Sequence, residues 1–184
     1  NTSHETSQND VSIGVFICHC GGNIGDTVDV QKVKDAIKKM DGVTLVETYE
    51  YMCSKPGLQI IKDAVTNHGV NRIVEASCSP LMHLNTFRSA VQEAGLNPYL
   101  IEMVNIREHC SWVHKDKETA TTKATDIIRG AVERARFLQP LEPKKQPVEQ
   151  SIMVIGGGVA GIFASLELAN KGYKIFLIDR APSI

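Results

Sequence analysis

Apolar, strand-like runs alternate with helix-length amphipathic segments through roughly 140 residues of this chain, and that alternation restricts the fold more than any other feature. Residues 11–18 form a continuous apolar run, as in a strand buried on both faces. Val30, Val33, Ile37 and Met40 then recur at helical spacing, with Asp26 or Thr27 placed to cap the helix and Asp41-Gly42 to end it. Residues 43–52, rich in β-branched and aromatic side chains, predict a second strand. A helix over 56–68 carries Ile60, Ile61, Ala64 and Val65 and stops at Gly69, and residues 72–77 give a third strand. Leu84, Phe87 and Val91 mark one face of a helix over 83–94, with Gly95 beyond it. Asn97-Pro98 turns the chain into a fourth strand over 99–106. A long helix over about 117–138 has Ala120, Ala124, Ile127, Ile128, Ala131, Val132 and Ala135 as its buried stripe.

Strands and helices in strict alternation are satisfied by a parallel sheet covered on both faces. The expected fold is therefore α/β: a doubly wound parallel sheet, flavodoxin-like, of four or more strands, occupying residues 11–139. Residues 1–10 are polar, lack the apolar centre of a signal peptide and predict a disordered tail. Residues 140–150 hold three prolines, two lysines and two glutamates, the composition of a linker. Beyond it, 151–155 is a new apolar strand and 173–178 another, with a helix carrying Ile162, Leu166 and Leu168 between them.

A formal net charge of −1 over 184 residues gives no electrostatic reason to expect nucleic acid or an anionic membrane as partner. No apolar run is long enough to span a bilayer. An odd cysteine count of five, with no secretory signal, points to thiolate chemistry in the cytoplasm rather than a disulfide scaffold.

The cysteines stand where strands give way to turns or helix starts: Cys18-His19-Cys20-Gly21-Gly22, Cys53-Ser54-Lys55-Pro56, Cys78-Ser79-Pro80 and His109-Cys110-Ser111. In a doubly wound sheet these points share the carboxyl edge, so thiols distant in sequence meet in space. Serine follows Cys53, Cys78 and Cys110, which predicts a helix N-cap after each thiol. A cysteine so placed faces the positive end of a helix dipole, which lowers a thiol's pKa. Glycines after Cys20 allow close backbone approach instead. Cys20, Cys53, Cys78 and Cys110 then supply one thiolate per strand end, the number that usually holds an iron–sulfur cluster, with Cys18 as the spare. Tetrahedral zinc and a thiol–disulfide couple, Cys18–Cys20 or Cys53–Cys78, are the alternatives. His19, His83, His109 and His114 lie near these loops and carry less weight, and Trp112 is placed either to shield a site from water or to pack under the long helix.

Gly156, Gly158 and Gly161 form G-x-G-x-x-G between a predicted strand and a predicted helix, with Asp179 at the end of the next strand. In that context Gly156 permits the tight turn, Gly158 admits a pyrophosphate, Gly161 lets helix and strand pack closely, and Asp179 accepts hydrogen bonds from the adenosine ribose. The two strands after the linker are fewer than a dinucleotide fold needs. The expectation is a cut or split β-α-β piece over 151–184 that another stretch of polypeptide completes.

The combination of Cys18-His19-Cys20-Gly21-Gly22-Asn23, Met52-Cys53-Ser54, Ala76-Ser77-Cys78-Ser79-Pro80, the run from Asn105 to Trp112 and the run from Val154 to Gly161 resembles the A-subunit family of heterodisulfide reductase. These are iron–sulfur flavoproteins of methanogens and many anaerobic bacteria. The resemblance implies an N-terminal α/β domain, a thioredoxin-reductase-like FAD domain and ferredoxin modules with further [4Fe-4S] clusters. It implies the five cysteines as candidate cluster ligands and Gly156, Gly158, Val159, Ala160, Gly161, Asp179 and Arg180 as FAD-contacting positions. Expected partners are the other subunits of such a complex, ferredoxin-like or hydrogenase-type electron carriers, and a chain that completes the FAD domain. The expected function is electron transfer within an oxidoreductase, and the alternative is a non-catalytic module that docks partner subunits.

Overall fold

The computed structural model describes residues 11–181; the expected tail at 1–10 lies outside them. The chain divides into two compact units, the first closing at Leu141 and the second starting at Glu142.

In the first unit, β1 (Ile13–Cys18) leads through α1 (Val30–Ile37) to β2 (Val43–Tyr49), and α2 (Lys55–His68) leads to β3 (Arg72–Ser77). Then follow α3 (Pro80–Glu93), β4 (Ile101–Asn105), a single π-helical turn (Arg107–Ser111) and α4 (Lys117–Ala135). The strands order as β2-β1-β3-β4, all parallel, which is the flavodoxin-like arrangement expected from the alternation. Every residue of β1 and β3 is buried; β1 is accordingly apolar throughout, whereas β3 carries Arg72, Glu75 and Ser77 among its apolar residues.

Two apolar layers sandwich the sheet. Val15, Ile17, Val74 and Ala76 face α1 and α4, where Val33, Ile37, Ala124, Ile128 and Val132 complete the core. Phe16, Ile73 and Met103 face α2 and α3, against Ile61, Ala64, Phe87 and Val91. Burying each large side chain of these layers contributes about 2 kcal/mol, so the two together fix the unit.

Local chemistry sets the boundaries. Asp29, rather than Asp26 or Thr27, caps α1 by accepting from the Lys32 N–H. Ser54 caps α2 and Gly69 ends it in the left-handed conformation. Ser79 caps α3, which begins at Pro80, three residues before the sequence pattern of apolar residues starts. β2 and β4 are shorter than the expected strands: residues 50–52 and 106 enter the carboxyl-edge loops, and Tyr99 and Leu100 belong to the turn before β4.

The second unit holds β5 (Ser151–Ile155), α5 (Val159–Asn170) and β6 (Lys174–Ile178), with β5 and β6 parallel. Residues 141–150 before it are exposed and without regular structure. Among the described residues no helix is long and apolar enough to cross a membrane.

Candidate functional site

In a sheet ordered β2-β1-β3-β4 the chain leaves β1 toward one edge and β3 toward the other, which opens a crevice between their carboxyl ends. The cysteine segments gather there. After β1 the chain turns through Cys20 (φ 54°), Gly21 (56°) and Gly22 (93°), and Cys20 is the one non-glycine residue with positive φ among those described. That conformation is disfavoured for a side-chain-bearing residue. The loop holds it by returning the Asn23 N–H and Nδ2 to the Cys20 carbonyl at 3.1 and 3.0 Å. Cys18 Sγ accepts the N–H groups of Cys20 and Met52 at 3.3 and 3.4 Å and donates to the Glu50 carbonyl at 3.7 Å.

The turn before α2 brings Cys53 to the same place. Its tightness depends on Gly57, where a Cβ would stand 2.5 Å from the Met52 carbonyl oxygen. Cys78 follows β3 directly, just before the Ser79 cap of α3. Cys18, Cys20, Cys53 and Cys78 together line one small cavity of about 60 Å³, with Arg107, His83 and Ser77 among its other walls. All five cysteines of the chain are free thiols.

Cys110 is not brought to this cavity. The π-helical turn after β4 rotates it onto the opposite side of the sheet, into the layer formed with α1 and α4. Its thiol there donates to the Ala120 carbonyl at 3.2 Å. Ser111 does not cap a helix: its hydroxyl donates to the Arg107 carbonyl at 3.2 Å, and Asp116 caps α4. The pattern of thiol, serine and helix start therefore holds at Cys53 and Cys78 and fails at the third position.

Electrostatically the cavity disfavours free thiolates. Burial pushes the Cys18 thiol up to about 12, against the Met52 N–H bond that favours its charged form. Burial also raises Cys53 and Cys78, with Arg107 opposing in both cases. Desolvation thus outweighs the helix-dipole effect expected from sequence. Beneath the cavity, in the layer facing α2 and α3, lies Glu75, fully buried beside Phe16 and Met103 in the strand register. Neither carboxyl oxygen has a hydrogen-bond partner, and burial pushes the group well above the usual carboxylate range. The Ser77 hydroxyl pulls the other way without forming a well-aligned bond.

In the second unit the glycine loop is held by Asp179, whose Oδ2 accepts the Gly157 N–H at 2.6 Å and whose Oδ1 accepts the Ala181 N–H at 2.7 Å. These bonds, Gly157 first, keep the carboxyl below its usual range. Gly156 takes a φ of 109°, and a Cβ on Gly161 would overlap the Gly156 carbonyl oxygen. Gly158 caps α5, and Val159 and Ala160 open it with exposed side chains; Arg180 is exposed as well.

No protein-family model matches the chain. Individual relatives do. It is 51% identical over 178 residues to the first iron–sulfur A-subunit of CoB–CoM heterodisulfide reductase from Methanopyrus kandleri, covering 96% of this chain and 27% of that protein. It is 51% identical over 173 residues to the A-subunit of the H2:CoB–CoM heterodisulfide,ferredoxin reductase of Methanothermobacter marburgensis, covering 94% and 26%. A protein of Archaeoglobus profundus described as like the heterodisulfide reductase A-subunit is 48% identical over 179 residues, covering 97% and 26%. The chain belongs to the A-subunit family of heterodisulfide reductase. It spans about a quarter of the length of the curated family members it matches.

The names of the Methanopyrus and Methanocaldococcus jannaschii members describe iron–sulfur subunits. In this family member, four thiols at one cavity are a donor set of the type that iron–sulfur clusters take. Among the described residues no group of three or more His, Cys, Asp or Glu side chains is placed to hold a metal ion. Thiolates around one zinc ion lie about 2.3 Å from it and so crowd together.

Two cavity residues were not assigned to it from the sequence. Arg107 and His83 reach the cavity only because the fold brings α3 and the π-helical turn over it. Trp112 is exposed, with its indole N–H donating to Asn23 Oδ1 at 3.3 Å, so it does not pack under α4. One signal was available for Glu75: it is an acidic residue between Val74 and Ala76 in a stretch that predicts a strand.

Proposed function

We propose that this chain carries electrons within a heterodisulfide-reductase-like complex, through a [4Fe-4S] cluster held in the crevice between β1 and β3. The observation that carries this is the meeting of Cys18, Cys20, Cys53 and Cys78, from three separate stretches of chain, at one cavity. Cys18 takes the place that sequence spacing gave to Cys110, which sits in the other layer. When bound, the cluster supplies one-electron transfer. The chain's own part is to present four sulfurs, exclude water with Phe87 and Tyr51, and offer N–H groups to Cys18. Coordination would have to displace the protons that burial holds on Cys18, Cys53 and Cys78.

Gly156, Gly158, Val159, Ala160 and Gly161, with Asp179 and Arg180, are proposed as part of an FAD site that needs further polypeptide. Asp179 keeps a second lone pair on each oxygen for a ribose hydroxyl after binding Gly157 and Ala181. The proposed partners are other components of the same complex and ferredoxin-like or hydrogenase-type carriers, in the cytoplasm.

Anaerobic reconstitution with iron and sulfide tests the cluster. About four irons and four sulfides per chain are expected, and a yield below one cluster's worth after repeated attempts would reject it.

A second reading, a non-catalytic assembly module, is favoured by one observation. Met153, Ile155, Phe176 and Ile178 of the β5–β6 pair are exposed, and so are Phe163 and Leu166 of α5. Apolar side chains in this number on so small a unit mark a surface that other polypeptide covers. Changing all five cysteines to serine separates the two readings. Normal assembly together with normal electron transfer afterwards would favour the module.

A further inference from the structure

Arg107 occupies an unusual position for a permanent cation. Its Nη1 lies 3.1 Å from Cys20 Sγ, and its Nη2 reaches Glu108 Oε1 at 2.9 Å and Met82 Sδ at 3.2 Å. The guanidinium carbon stands 4.8 Å from the centre of the Trp112 ring. The side chain is only 13% exposed. Asn105 Oδ1 fixes the backbone beneath it by accepting the N–H groups of Arg107 and Glu108 at 3.1 and 2.9 Å. Three further contacts, with Glu108, Met82 and Trp112, thus hold the guanidinium against the Cys20 sulfur. No other lysine or arginine lines the cavity among the described residues. A surface ion pair with Glu108 alone would require neither the sulfur contact nor the aromatic floor.

We infer that Arg107 is a positioning residue that sets the reduction potential of the cysteine-held centre, by donating to the Cys20 sulfur and holding a fixed positive charge beside it. The inference rests on the cluster reading above. Reduction adds one electron, from a one-electron donor such as a reduced ferredoxin, to a centre already surrounded by thiolates. Negative charge therefore increases at the sulfurs. A guanidinium at hydrogen-bond distance stabilises the more negative state preferentially, because charge-assisted bonds strengthen with the charge on the acceptor. No bond to Arg107 forms or breaks and no proton moves. Arginine keeps its charge throughout the accessible pH range, so the effect does not vary with pH. Glu108 shares the guanidinium and partly offsets its field, which makes it the second adjustable element.

The experiment is a dithionite redox titration, followed by electron paramagnetic resonance, of the full reconstituted chain. Wild type is compared with Arg107→Gln, Arg107→Lys and Glu108→Gln, and iron is assayed in every sample. The Arg107→Gln variant with full iron is expected to reduce about tenfold less favourably, a shift of about −59 mV for a one-electron couple. Arg107→Lys recovers part of that shift, and Glu108→Gln moves the potential upward. A full-iron Arg107→Gln sample within about twofold of wild type overturns the inference. Where Arg107→Gln loses its iron, Glu108→Gln decides: an upward shift supports the inference and an unchanged potential overturns it. Wild-type chain that binds no iron removes the cluster reading and this inference together, and is recognised before any variant is titrated.

Discussion

The Cys53→Ser and Cys78→Ser variants are expected to bind less than about a quarter of the wild-type iron, while Cys110→Ser binds the full amount of about four per chain. The contrast follows from which side of the sheet each sulfur occupies. Cys53 and Cys78 line the crevice with Cys18 and Cys20. Cys110 lies in the opposite layer, its thiol engaged with Ala120. Serine there keeps a donor for the Ala120 carbonyl, so the expected stability loss is about 1 kcal/mol. Cys18→Ser belongs with the first group, and its hydroxyl can still accept the Cys20 and Met52 N–H groups. Iron and sulfide assays on reconstituted variants check this series. Full iron in Cys53→Ser, or loss of iron in Cys110→Ser alongside a native unfolding temperature, would show that the ligand set has been misassigned.

Replacing Glu75 by methionine should stabilise the chain at neutral pH and flatten its stability profile. Glu75 is fully buried with both carboxyl oxygens unpartnered, and an unsatisfied buried polar group costs about 1–3 kcal/mol. Methionine fills a similar volume among Phe16, Met103 and Phe87 without that cost. The pH dependence has a definite sign. The folded-state pKa is raised above the unfolded value. The folded chain therefore keeps the proton where the unfolded chain has lost it, so more protons are bound in the native state. The associated stability is fully present below the unfolded carboxyl value of about 4.3 and is lost as pH rises toward the folded value. The limiting slope is about 1.4 kcal/mol per pH unit while the difference lasts. Urea unfolding of wild type and Glu75→Met between about pH 5 and pH 8 tests this across the range where the two states differ in bound protons. Parallel profiles, or a variant less stable at the alkaline end, would mean that Glu75 has a partner or a charge that burial alone does not account for.

Local signals carried much of the architecture. The apolar run at β1 and the proline–glycine punctuation around α2 placed strands and helices, because these depend on neighbours in sequence. Side-chain direction at the carboxyl edge depends on more. Cys53 and Cys78 precede helices capped by the next serine, and that geometry is local. Cys110 precedes a serine as well, but a π-helical turn intervenes and α4 starts only at Lys117. One difference was visible: proline follows Cys53 and Cys78 in the first turn of the next helix, at Pro56 and Pro80, and none follows Cys110. Arg107 could not be assigned to the cavity either, since its partner Cys20 lies 87 positions earlier and meets it only after β1, β3 and β4 have aligned.

The order of synthesis adds one consequence. Strand β1 pairs with β2 and β3, and all four crevice thiols have been translated by Cys78, whereas β4 extends only the outer edge. A chain emerging from the ribosome thus presents its sulfurs before the strand that completes the sheet. The guanidinium that meets Cys20 arrives later, with the segment after β4. Metallation during translation would meet a nascent pocket that still lacks its cation.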